Sequence, residues 1–158
     1  MSRIIGVKPV QVADITSVES RMILPPVTPT DGDIGSWVTL TVVAREAIIL
    51  GSNGVIYWCV AAGTTGAAEP THTDGDADDG TVTWRVVHTE RNVVSIVNAQ
   101  AVVISLGRGN AAEDGKGIML TSTGGAHNEG YDGGPVYQGA WYAIAASGTT
   151  NELGIQEG

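Results

Sequence analysis

Residues 54–87 constrain the fold of this chain more than any other stretch. Two runs rich in Val, Ile, Thr, Tyr and Trp, at 55–61 and 81–87, flank a long loop of Gly, Thr, Pro and Asp. β-Branched and aromatic side chains lose rotamer freedom in a helix and pack well on a pleated sheet. In the second run Val82, Trp84 and Val86 fall on one face, and Thr81, Thr83 and Arg85 on the other. That period of two predicts a strand with one buried and one wet face. Ahead of the first run, Ser52-Asn53-Gly54 carries the Asn-Gly hairpin signal, which pairs 47–50 antiparallel with 55–60.

The rest of the chain has the same texture. Hydrophobic residues make up 42% of the 158, enough for a real core, while Gly reaches 22 and Phe is absent. Residues 4–12 read as a short strand or extended arm broken by Pro9, and 14–24 form the best helix candidate. Pro25, Pro26, Pro29 and Asp31-Gly32-Asp33 mark 24–36 as a loop, and 37–50 as two strands bent at 44–47. Beyond Arg91, strand-like runs at 93–97, 102–106, 118–120, 136–146 and 153–156 alternate with Gly-rich loops. The prediction is an all-β protein of two small antiparallel sandwich- or barrel-like halves, 1–91 and 92–158, with long Gly/Asp/Thr-rich loops. No fixed-period repeat supports a solenoid or propeller.

Charge and cysteine narrow the function. Seventeen acidic against eight basic side chains give a net −9, and a division at Arg91 leaves both parts acidic. Such a chain repels phosphate backbones and anionic membrane surfaces, so no nucleic acid or membrane partner is expected. One cysteine, Cys59, excludes an internal disulfide framework, and its alternation with Val55, Tyr57 and Ala61 assigns it to the core. The opening residues lack a signal-peptide pattern and no apolar run reaches membrane-spanning length, so a soluble product of a cytoplasm is expected.

No motif points to catalysis or a cofactor. Asp74, Asp76 and Asp78 could converge on calcium, yet the helical calcium-loop frame fails, with Asp79 where it needs Gly and Arg85 where it needs Glu. The competing reading is a solvated turn with Asp79-Gly80 opening the Trp84 strand. Gly107-Arg108-Gly109-Asn110-Ala111-Ala112 fits a dinucleotide loop by pattern, but Asp114-Gly115-Lys116-Gly117 breaks the helix that motif needs. His72, His88 and His127 share no metal-ligand spacing and read as exposed side chains. Trp84 reads as core. Trp58 lies on the face opposite Tyr57 and Cys59, so that face is either buried between layers or a contact surface for a sugar or a subunit.

Two stretches resemble phage virion modules. Tyr57, Cys59, Gly63-Thr64-Thr65-Gly66, Glu69-Pro70 and the 79–84 segment are similar to a small β module of phage tail fibres, virion proteins and some carbohydrate-binding proteins. Residues 115–120 and 137–150 resemble β units of phage structural proteins. The resemblance implies a non-enzymatic virion component without cofactor. The expectation is a head-decoration (cement) protein on the capsid exterior, partnered by the major capsid protein and by itself as a homotrimer. The arm residues Arg3, Ile4, Ile5, Val7 and Lys8 would touch the capsid by strand addition. The alternative is a module binding a host-surface glycan on a tail or head fibre, through Trp58, Trp84 and Glu69, or a tail or neck adaptor.

Overall fold

The computed structural model describes residues 10–130, 132–148 and 150–158. Every regular element among them is a strand, so the protein is all-β. The contacts divide the chain into two units, each with its own buried cluster. One unit joins the described residues up to Val27 with Thr89–Gly158, and the other is Thr28–His88. The second unit is thus inserted into the first, whereas the sequence suggested consecutive halves meeting at Arg91.

The first unit contains β1 (Val10–Ile15) and β2 (Arg21–Leu24) before the insertion. The insertion carries β3 (Ile34–Ser36), β4 (Val42–Val43), β5 (Ile48–Leu50), β6 (Ile56–Ala61), β7 (Gly63–Thr64), β8 (Asp76–Asp79) and β9 (Val82–Val86). The first unit then resumes with β10 (Val94–Asn98), β11 (Ile104–Arg108), β12 (Ile118–Leu120), β13 (Gly125–Glu129), β14 (Trp141–Ala145) and β15 (Asn151–Glu157).

In the first unit the outermost strands in sequence pair with each other, β1 with β15 and β2 with β14, and the inner ones follow, β10 with β13 and β11 with β12. All of these ladders are antiparallel. Pairings β10–β15 and β11–β14 complete two four-stranded sheets, β1-β15-β10-β13 and β12-β11-β14-β2. That nested order is the jelly-roll connectivity. Alternate residues of both sheets, among them Ile15, Val94, Ile96, Leu153 and Ile155 from one and Ile23, Ile104, Leu106, Trp141 and Ala143 from the other, enter one buried cluster. Neither sheet closes into a barrel among the described residues.

The helix expected over 14–24 does not form. Asp14 takes a left-handed conformation (φ +60) where the β1–β15 register shifts, which marks a bulge. Thr16 Oγ1 then accepts the Glu19 N–H at 3.2 Å, closing a turn, and Val18 at its tip is 82% exposed. The residues on either side of this turn pair instead as sheet-edge strands, β1 with β15 and β2 with β14.

Two polar residues fasten this unit. The side chain of Asn98, fully buried, donates to the carbonyls of Val102 (2.8 Å), Leu120 (3.2 Å) and Thr121 (3.0 Å), and accepts the Gln100 N–H at 2.9 Å. Arg91 is buried, ion-paired with Glu157, and donates to the carbonyls of Gly139 (2.7 Å) and Pro25. Arg91 thereby ties the strand leading out to the insertion to the segment returning from it.

The second unit is a five-stranded sheet, β3-β5-β6-β9-β8, with a small β4–β7 ribbon. The antiparallel expectation fails at one pair: β3 runs parallel to β5, in a segment read from sequence as loop. The Asn-Gly hairpin forms as expected, with Leu50 opposite Ile56. Tyr57, Cys59, Val82 and Trp84 are its buried centre, and burial pushes the Cys59 thiol up to about 11.

Candidate functional site

The acidic segment, expected to be a solvated loop, is strand β8. Its alternation assigns each carboxylate a role. Asp76 and Asp78 point outward, Asp76 meeting the Arg85 guanidinium twice (2.7 and 2.8 Å) and Asp78 accepting from Thr83 Oγ1 at 2.7 Å. Asp74 lies exposed ahead of the strand. Among the described residues no group of three or more His, Cys, Asp or Glu side chains gathers as a metal site. Asp79, with the opposite parity, turns inward beside Val82 and is 6% exposed. The turn that makes this possible needs Gly80: φ is +67, and a Cβ there would stand 2.3 Å from the Thr64 carbonyl oxygen.

A buried carboxylate requires donors. Asp79 Oδ2 accepts the indole N–H of Trp37 at 2.8 Å and of Trp84 at 3.3 Å, while Oδ1 accepts the Gly66 N–H at 2.6 Å. Thr65, also buried, continues the network: its hydroxyl donates to the Val38 carbonyl at 2.6 Å and accepts the Thr41 N–H at 2.8 Å. Thr39 Oγ1 donates to the Gly66 carbonyl at 2.9 Å. Residues 37–43 are therefore held at both flanks and along their backbone.

This framework presents an apolar tip. Val38 is 54% exposed, Leu40 73% and Val42 80%, and Leu40 sits in the left-handed region (φ +50). A branched apolar residue held there and left facing water costs strain and solvation together. No charged side chain occurs over 34–44, in a chain of net −9. Exposed apolar side chains on a loop fixed in this way are suited to making a contact. Sequence reading took 37–50 as two bent strands and gave Val38, Leu40 and Val42 no separate role, because an apolar run does not show which of its side chains stay exposed.

The residues proposed from sequence are not brought together. Trp58 is 2% exposed with the Arg85 guanidinium 5.7 Å from its ring, and Trp84 is fully buried on the other face of the sheet. Tyr57, Trp58 and Cys59, from the two faces of β6, are buried within the chain, while Ile56, Val60 and Ala61 are partly exposed. Neither indole offers a face to a sugar. Glu69 accepts the Ser52 N–H at 2.9 Å and supports the hairpin. Arg3, Ile4, Ile5, Val7 and Lys8 lie outside the described residues.

A second polar cluster, unseen in the sequence, bridges the two sheets of the first unit. Glu129 of β13 takes hydrogen bonds from Arg108 of β11, His127 (3.1 Å) and the Tyr137 N–H (2.8 Å). The Arg108 guanidinium lies 4.9 Å from the Trp141 ring, and the His127 ring 5.3 Å from it. Burial alone would raise the Glu129 carboxyl, but the Tyr137 and His127 hydrogen bonds and the Arg108 charge outweigh it and lower it overall. With its oxygens so engaged, Glu129 is an anchor between sheets. His127 and His72 are both half-buried against aromatic rings, in contrast to the exposed positions expected.

No protein-family model matches the chain, and no curated protein is similar to it at a meaningful level.

Proposed function

We propose that the chain is a non-enzymatic structural protein of a bacteriophage virion: a head-decoration protein that seats on the major capsid protein from outside, in many copies and as a homotrimer. The observation that carries this reading is the rigid, uncharged apolar tip at Val38, Leu40 and Val42, fixed from within by Asp79 and Thr65. It suits a protein whose work is to bury surface against another subunit. The jelly-roll order of the first unit supports it by analogy, since capsid and lectin domains use that architecture. The negative charge keeps an abundant product soluble before assembly. The glycan-binding alternative lacks its aromatic platform, because Trp58 and Trp84 are buried.

The test is co-sedimentation of the purified protein with capsids of its phage lacking it. Wild-type protein is expected to saturate the particles, and the Leu40→Asp/Val42→Asp double variant to bind at least about tenfold more weakly, since two apolar contacts are removed. Equal binding by the variant removes the tip from the reading, and absence of wild-type binding removes the reading itself. Deleting residues 2–10 in parallel measures what the arm adds.

A further inference from the structure

We propose that Asn53 is a self-modifying residue: the folded hairpin holds it unreactive, and its deamidation releases the 67–73 loop. Asn53 is the one asparagine in the sequence followed by glycine. Gly54 has φ +79, and nothing lies within 4 Å of where its Cβ would be, so no side chain of its own or of a neighbour crowds that side of the turn. In the reaction that nitrogen gives its proton to a solvent base and bonds to Asn53 Cγ. The bond from Cγ to Nδ2 breaks, and Nδ2 departs as ammonia with a proton from water. A water molecule then opens the cyclic imide at either carbonyl, leaving aspartate or its β-linked isomer.

The native turn opposes the first step at both reacting groups. The Gly54 N–H donates to the Gly51 carbonyl at 2.9 Å, and Asn53 Oδ1 accepts the Val55 N–H at 3.1 Å. Asn53 Nδ2 donates to Tyr57 Oη at 2.8 Å and toward the Thr71 carbonyl at 3.4 Å. Attack therefore waits on local opening of the hairpin tip. Conversion is then hard to accommodate. The Tyr57 hydroxyl has one proton and gives it to the His72 carbonyl at 2.7 Å. A carboxylate at position 53 has only acceptors, so it either takes that proton from His72 or faces Tyr57 and Thr71 oxygens unpaired. The loop carrying Thr71 and His72 loses a tie in both cases.

The experiment is peptide mapping by mass spectrometry of the full chain during incubation in mildly alkaline buffer, folded and in urea. Conversion is expected at Asn53 ahead of every other asparagine, and roughly tenfold or more faster in urea, the ratio set by the opening equilibrium. Tyr57→Phe, which removes one clamp, is expected to accelerate the native reaction by about fivefold, the factor for one buried hydrogen bond. Gly54→Ala is strained in the folded turn at φ +79, so it is compared with wild type in urea, where its added β-carbon is expected to slow the reaction and gives a readout independent of Tyr57. Equal rates folded and unfolded, an unaltered rate in folded Tyr57→Phe, or earlier conversion at another asparagine would overturn the proposal. Asn53→Asp tests the consequence: faster amide exchange over 67–73 supports it, and unchanged exchange refutes it.

Discussion

Glu129 shows how a single side chain couples this fold to its medium. Its carboxyl is lowered from 4.5 by the Tyr137 and His127 hydrogen bonds and the Arg108 charge, against an opposing contribution from burial. A group lowered on folding adds stability that is fully present above its unfolded value and is lost as pH falls through its folded value. The wild-type midpoint of urea unfolding should therefore drop on acidification below pH 4.5, and Glu129→Gln should flatten that part of the profile while lowering the neutral plateau. A parallel acid limb in the variant would contradict the assignment. Asn98 is the uncharged counterpart. Its amide is engaged by four backbone groups, which is how a polar side chain stands fully buried at the end of β10.

Among elements, the β8–β9 hairpin carries most of what is distinctive in the inserted unit. Asp79→Asn keeps the shape but turns an amide group toward N–H donors from Trp37, Trp84 or Gly66. The expected cost is about 2–3 kcal/mol, typical of hydrogen bonds to a buried charge. Faster amide exchange over 37–43 should accompany it, because the apolar tip loses its inner support. Unchanged exchange there would separate the tip from Asp79. The role of Asp79 was within reach of the sequence. Once Val82, Trp84 and Val86 share a buried face and Gly80 closes a tight turn, strand parity places Asp79 inward and Asp76 and Asp78 outward. Reading 74–80 as one acidic loop hid that distinction. The Asn53-Gly54 hairpin and the Trp84 strand were legible because their signals are local. The Glu129 cluster and the parallel β3–β5 pair were not, since both depend on which distant segments meet. The expected helix at 14–24 reflects a modest propensity that a bulge and a sheet edge override.

At the scale of the molecule, each unit possesses its own buried cluster, and Arg91 binds the exit and return of the insertion to the first unit. Replacing 28–88 with a short Gly/Ser linker should leave a folded jelly-roll unit. Of the four tryptophans only Trp141 would remain, and it is fully buried. Its emission should stay blue-shifted and should shift red in one cooperative unfolding transition; a red-shifted, non-cooperative signal would show that the insertion is needed for folding. Arg91→Met in the same background should lower the transition midpoint, because Glu157 and the Pro25 carbonyl lose their partner.

The pairing of β1 with β15 also has a temporal meaning. A ribosome delivers the chain in one direction, so the earliest strand of the jelly roll must wait for the last before its ladder can zip. The segment between β2 and β10 has no such dependence, and can condense while the remainder is still being translated. Long-range closure of this kind is slow, and it leaves strand edges unpaired in the interval. The inserted module is thus a folded passenger on a nascent chain whose frame is completed only once β15 has emerged.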